Sequence, residues 1–102
     1  MHIEHDNILF FESHHDPQVA HNLMLYTDKN NIVFRGKLKE TLGLGPEFFS
    51  CHHSIVVNLK KIKHVDRKEK EVILYNGDIL PVSKRKLPEL LKAWETYLQS
   101  AG

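Results

Sequence analysis

The sequence predicts a small, mainly β domain of about six short strands with two helices. Three observations carry that prediction: short runs of branched and aromatic residues bounded by turn formers, an Asn76-Gly77 pair between two apolar runs, and one amphipathic stretch near the C-terminus. A chain of 102 residues, 41% hydrophobic and 26% charged, has room for one core and is expected to form one domain over residues 1–102. No stretch approaches the roughly 18 to 20 uninterrupted apolar residues of a membrane span. The start, Met1-His2-Ile3-Glu4-His5-Asp6, lacks the basic-then-apolar order of a secretory signal. The lone cysteine, Cys51, cannot make an internal disulfide, so the cytoplasm is the expected compartment.

Asn7-Ile-Leu-Phe-Phe-Glu12 reads as a strand covered on both faces, broken by Ser13-His-His-Asp-Pro17. Residues 22–27 and 32–35 form an expected hairpin around Asp28-Lys-Asn-Asn31, whose residues tolerate tight turns. Residues 37–44 place Leu38 and Leu42 four apart among good helix formers, giving a short internal helix with a glycine stop at Gly43-Leu-Gly45. Phe48-Phe-Ser-Cys-His-His-Ser-Ile-Val-Val57 opens as a strand, but its polar middle predicts exposure. Strands at 62–65 and 71–75 flank a charged turn, and Asn76-Gly77 turns the chain into a return strand at 78–82. A two-residue loop would set Leu74 opposite Ile79 and Ile73 opposite Leu80, making both faces apolar. That predicts cover on both sides, as in the middle layer of a sandwich. A closing helix begins within 83–88 and lines up Leu87, Leu91, Trp94 and Leu98 along one face.

The net charge of +1 conceals an asymmetry. Residues 1–34 hold five acids against Lys29 alone, whereas residues 35–102 hold thirteen Lys and Arg against eight acids. Twelve of these thirteen bases fall in three groups: Arg35, Lys37, Lys39; Lys60, Lys61, Lys63, Arg67, Lys68, Lys70; and Lys84, Arg85, Lys86. Brought together by folding, they would make one positive face.

Catalytic patterns are missing. Among the eight histidines, His14, His15, His21, His52 and His53, with Cys51, are conceivable zinc ligands. Adjacent histidines on a strand point to opposite faces, and no C-x-x-C or H-E-x-x-H spacing occurs. Neither a metal nor another cofactor is therefore expected. Cys51 beside His52 lacks the geometry of an activated thiol and reads as a buried cysteine. What recurs is basic residues beside small polar ones: Ser54 with Asn58 and Lys60, and Ser83 with Lys84, Arg85 and Lys86. Lysine and arginine neutralise phosphates, serine and asparagine position them, and histidine or arginine reads base edges.

The order of motifs gives this pattern a context. Asp6-Asn-Ile-Leu-Phe-Phe-Glu-Ser13, Phe34-Arg-Gly-Lys-Leu-Lys-Glu40, Phe48-Phe-Ser-Cys-His-His-Ser-Ile-Val-Val-Asn58, Ile62-Lys-His-Val-Asp66 and Pro81-Val-Ser-Lys-Arg85 together resemble the LytTR domain. The resemblance extends from residue 3 to about 95 and is nearest to regulators of peptide quorum sensing, of the accessory-gene-regulator and bacteriocin-induction kind. It implies an elongated stack of small antiparallel sheets, about ten short strands in all, with one short internal helix and a C-terminal helix. It also implies sequence-specific binding of double-stranded DNA at paired direct repeats in promoters, with loops in successive major grooves and the DNA bent. By match to the family, His21, His53 and Arg85 are the expected base-contacting residues, although His53 stands where close relatives carry asparagine. Ser54, Asn58, Lys60, Lys84, Lys86 and Lys39 are the expected backbone-contacting residues. Oxidation of Cys51, close to that surface, is expected to interfere with binding. A receiver domain and a sensor histidine kinase belong to the full-length regulators, so this chain reads as either an excised output domain, the favoured reading, or a stand-alone member, monomeric alone and paired on DNA. The contrasting reading is a small β protein-interaction module whose basic surface has no DNA specificity.

Overall fold

The computed structural model describes residues 4–16 and 19–101, with side chains described for 4–13 and 22–100. Eight strands run in chain order: β1 Ile8–Asp16, β2 Val19–Thr27, β3 Asn31–Arg35, β4 Phe48–His52, β5 Ile55–Asn58, β6 Ile62–Asp66, β7 Glu71–Leu74 and β8 Ile79–Pro81. One α-helix, α1 Leu87–Ala101, closes the chain, and 3-10 turns occupy His5–Asn7, Leu38–Leu44 and Leu59–Lys61. The strands form a five-stranded sheet of order β3-β2-β1-β5-β4 and a three-stranded sheet of order β6-β7-β8, antiparallel at every pair. The eight strands among the described residues compare with about ten implied by the resemblance, and the 39 × 29 × 24 Å envelope is moderately elongated.

The five-stranded sheet is the middle layer. One face shares the main core with the smaller sheet and α1, through Leu9, Phe10, Ile55, Val57, Val72, Leu74 and Leu90. The other face, through Ile8, Phe11, Leu25, Phe48 and Val56, is covered by the 3-10 helix at Leu38–Leu44. As its composition predicts, β1 is buried on both sides from Ile8 to Phe11. The register slips between Ile8 and Phe10, so Leu9 and Phe10, neighbours in sequence, both enter the main core. β5 is buried at all four positions.

Several local expectations are corrected. β1 does not break at Ser13 but continues to Asp16, because Ser13 and His14 pair with Leu23 and Asn22 of β2. A ladder beyond the core satisfies its backbone without needing apolar side chains. The 37–44 segment is a 3-10 helix, and at three residues per turn Thr41 rather than Leu42 lies beneath Leu38. Its start is fixed by the Glu40 carboxylate, which accepts the Lys37 N–H at 3.0 Å. Gly45 is extended rather than left-handed, and a side chain there would run into the Glu47 carboxylate.

The Asn76-Gly77 turn forms with a different register. Gly77 N–H donates to the Leu74 carbonyl and Leu74 N–H to the Asp78 carbonyl, both at 2.9 Å, with Gly77 at φ 96°. This is a three-residue loop ending in a left-handed glycine, and it sets Ile73 opposite Ile79 and Val72 opposite Leu80. Only one face of the hairpin is therefore covered; Val72 and Leu74 are fully buried, while Ile79 is 57% and Tyr75 69% exposed. The middle layer is the larger sheet, not this hairpin. In α1 the packed face is Leu87, Leu90, Leu91, Trp94 and Tyr97, and Leu98 is exposed. Among the described residues no helix is long and apolar enough to cross a membrane.

Candidate nucleic-acid interface

Strand direction sorts the polar residues of the domain to two ends. β5 runs antiparallel to β1 with Glu12 opposite Ile55 and Phe10 opposite Val57, and β4 lies alongside β5. The β4–β5 turn, made of His53 and Ser54, thus lies where β1 passes Ser13, whose N–H donates to the Ser54 carbonyl at 2.9 Å. Arg35 pairs with Asn22 at the same end of β3 and β2. The smaller sheet brings two loops there as well. Val82 N–H donates to the Lys70 carbonyl, and the next residue, Ser83, donates to the Cys51 carbonyl, both at 2.9 Å. Two backbone hydrogen bonds thereby place the basic turn 66–70 and the Lys84-Arg85 loop beside the tip that presents His53.

The charges at this end are open. Arg35, Arg67, Lys68, Lys70, Lys84 and Arg85 are exposed, and none of them joins an ion pair among the described residues. The turn carrying Arg67, Lys68 and Lys70 is shaped by Asp66, whose carboxylate accepts the Lys68 and Glu69 N–H groups at 3.0 Å each. Lys70 closes it in the left-handed region at φ 55°. At the hairpin tip, His52 Nδ1 accepts the Ser54 N–H at 3.2 Å and lies 2.9 Å from Ser54 Oγ. The His52 and His53 rings are 4.0 Å apart, tilted by 36°. Burial holds the His52 pKa below its ordinary value, a charge on His53 acts the same way, and Glu12 opposes both.

The opposite end looks different. Lys60 is ion-paired with Asp6, and Lys61 with Asp28 at 3.5 Å. His5 Nδ1 lies 3.7 Å from Glu47 Oε1. Lys60 was expected among the phosphate contacts, yet the fold places it a strand's length from His53, beside an acid. Asn58 is fully buried; its Nδ2 donates to the carbonyls of Ile8 at 2.8 Å and His5 at 3.2 Å, and its Oδ1 accepts the Lys60 N–H at 3.0 Å. Its side chain is spent inside the protein, so the expected DNA contact is corrected to a cap that ties the N-terminal turn to β5.

Of the other expected residues, His53, Lys84 and Arg85 come together at the open end. The side chain of His21 lies outside the described residues, on a backbone position in β2. The Ser54 hydroxyl lies 2.9 Å from His52 Nδ1, within the β4–β5 turn. Lys86 pairs with Glu89 at 3.6 Å, and Lys39 is exposed on the flank covering the second core. Residues 67–70 were not among the expected contacts, although their clustered charge between two strands marks an exposed turn; only the Val82 and Ser83 hydrogen bonds show that this turn lies beside the His53 tip. Cys51 is fully buried, its Sγ 3.8 Å from the Pro81 carbonyl, and burial pushes its thiol pKa up to about 12. That is the inert state of a core cysteine rather than an oxidation-prone one. Among the described residues no group of three His, Cys, Asp or Glu is arranged to hold a metal ion.

A family model for the LytTr DNA-binding domain matches residues 1–95. The chain belongs to that family. Accessory gene regulator protein A of Staphylococcus epidermidis is 36% identical over 90 residues, covering 88% of this chain and 37% of that protein. The same protein of Staphylococcus aureus matches with the same identity and coverage. This LytTr domain therefore spans little more than a third of the length of these relatives. Its fold is shared with the LytTr DNA-binding domain of a methyl-accepting/DNA response regulator from Bacillus cereus, at a TM-score of 0.72 and 20% identity over 86% of this chain and 81% of the other. Membership places the chain among DNA-binding modules of transcription regulation.

Proposed function

We propose that this LytTr domain reads promoter DNA through the open end of its sheets, as the output module of a response regulator. The observation that supports this is the convergence at one end of the His53 tip and six cations that join no ion pair among the described residues, while Lys60 and Lys61 at the other end are paired with acids. Arg85 and His53, with His21 on β2, read base edges in successive major grooves, and an arginine bidentate to guanine is worth about 1–3 kcal/mol of discrimination. Lys84, Arg67, Lys68 and Lys70 fix the register on phosphates. The sites are paired direct repeats, which two copies of an otherwise monomeric domain occupy. In the longer protein a receiver domain governed by a sensor histidine kinase sets the occupancy, in the cytoplasm. No residue acts as a catalyst in this reading.

Fluorescence anisotropy against a duplex with two direct repeats and a scrambled duplex, at several salt concentrations, tests the proposal. Salt-steep binding that prefers the repeats, with Arg85→Ala losing most of the preference, is the expected result. Equal, weak binding to both duplexes would overturn it in favour of a protein-interaction surface.

A further inference from the structure

We propose that His52 is the positioning residue for His53, its Nδ1 acting as the acceptor that fixes the reading tip. This rests on the reading above, in which His53 faces the bases. The tip lacks the usual means of holding a two-residue hairpin. Neither His53 nor Ser54 has a positive φ, so the primed turns that match strand twist are excluded. The register between β4 and β5 also shifts between Ser50 and His52, where Ser50 faces Val56 but His52 faces Ile55.

What replaces the turn geometry is a side chain. His52 Nδ1 stands 3.2 Å from the Ser54 N–H and 2.9 Å from Ser54 Oγ, while the Ser54 carbonyl is held from the other side by Ser13 N–H at 2.9 Å. The Ser50 hydroxyl donates to the His52 carbonyl at 3.4 Å. An N–H aimed at Nδ1 requires that nitrogen to be unprotonated, which leaves the ring hydrogen on Nε2. The same ring is the platform on which His53 lies, at 4.0 Å between centroids. Burial of His52 favours the neutral ring that this arrangement needs. His53, Ser54 and Glu12 are the polar groups that face it from the turn and from β1.

Acceptor and platform are separable by substitution. In His52→Asn, Oδ1 takes the place of Nδ1 and accepts the N–H two residues on, as in an Asx turn, but the ring is gone. In His52→Phe the ring remains and the acceptor is gone. Both variants are checked for folding by thermal melting, then measured by anisotropy on repeat and scrambled duplexes. The expected result is that His52→Phe loses about tenfold or more of the repeat preference while His52→Asn keeps it within about threefold. Full preference in His52→Phe, or equal loss in both variants, would overturn the proposal. Nitrogen-15 shifts of His52 in the free wild-type domain give an arm independent of DNA: an unprotonated Nδ1 with hydrogen on Nε2 supports the clasp, and hydrogen on Nδ1 overturns it. If the wild type shows no repeat preference, the DNA reading fails, and the nitrogen shifts still decide the clasp.

Discussion

The two ends of β5 carry similar residues with opposite fates. At one end, Asn58, Lys60 and Lys61 are consumed internally: the asparagine caps a 3-10 turn and holds the N-terminal segment, and the lysines pair with Asp6 and Asp28. At the other end, His53 projects, and Lys70, Lys84 and Arg85 come alongside with no acid in ion-pair reach among the described residues. A basic residue that folding leaves without an acid partner meets a phosphate without first giving up an ion pair. The acidic N-terminal third supplies the partners of Lys60 and Lys61 at one end, through Asp6 and Asp28. The asymmetry of charge along the sequence thus becomes an asymmetry of charge pairing across the fold.

The largest effect expected from breaking this contrast is on stability. Asn58→Ala removes a donor from two backbone carbonyls and an acceptor from the Lys60 N–H, all in a fully buried setting. The expected cost is about 3 kcal/mol, since buried polar groups left without partners each cost of the order of 1–3 kcal/mol. For a domain of this size that lowers the melting temperature by roughly 15 °C. Thermal unfolding followed by circular dichroism measures it, and the surviving folded fraction should bind DNA as the wild type does. A stable Asn58→Ala variant with weakened DNA binding would reverse the assignment and return Asn58 to the interface.

Next comes the basic turn at the open end. In the double variant Lys68→Ala with Lys70→Ala, each lost phosphate contact reduces the salt slope of binding by about 0.9. The slope should fall by roughly 1.8 in total, equally on repeat and scrambled duplexes. Anisotropy at a series of salt concentrations measures this. An unchanged slope would mean that the turn points away from the duplex.

How much of this was legible in the sequence depends on the range of the interaction. β1 was readable because a run with no polar gap demands cover on both faces, and the β2–β3 hairpin because Thr27 and Asn30 close its turn locally, with the Thr27 hydroxyl donating to the Asn30 carbonyl at 2.8 Å. The β7–β8 register was not, because Asn76-Gly77 serves two-residue and three-residue loops alike; the choice flips which side chains face the core. The position of Arg85 could be drawn from motif order. The pairing of Lys60 with Asp6, separated by 54 residues, could not, since nothing local distinguishes it from Lys84. Motif resemblance carried Asn58 and Ser54 to the interface, while the hydrogen bonds show each holding a turn.

A smaller effect is expected at Cys51. With the thiol fully buried and its pKa pushed up to about 12, alkylation in the native protein should be at least about a hundredfold slower than in denaturant. Brief peroxide treatment should leave the DNA affinity unchanged. Rapid native labelling followed by mass spectrometry would show that the β4 edge opens, and would restore a redox role to the cysteine.

Little change in either stability or DNA binding is expected from Lys60→Ala, and this makes it the sharpest test of the contrast between the ends. Lys60 and Asp6 are both exposed, so their pairing contributes little to stability. The lysine's hydrogen bond and charge hold the Asp6 carboxyl below its ordinary value of 3.8, while Asp6 raises the Lys60 pKa. A lowered carboxylate pKa favours the fold above the ordinary value, and that contribution is lost as pH falls through the lowered one. Lys60→Ala should therefore bring the Asp6 titration, followed by carboxyl carbon shifts, back toward 3.8, and slightly flatten the acid limb of stability. DNA affinity should stay within about twofold on both duplexes, with the salt slope intact, because a contact absent from the interface releases no counterion. A slope reduced by about 0.9 would mean that phosphate displaces Asp6 and that the duplex wraps toward the acidic end. The bound surface would then be longer than the cluster around His53, and the division between the two ends of β5 would hold only in the free protein.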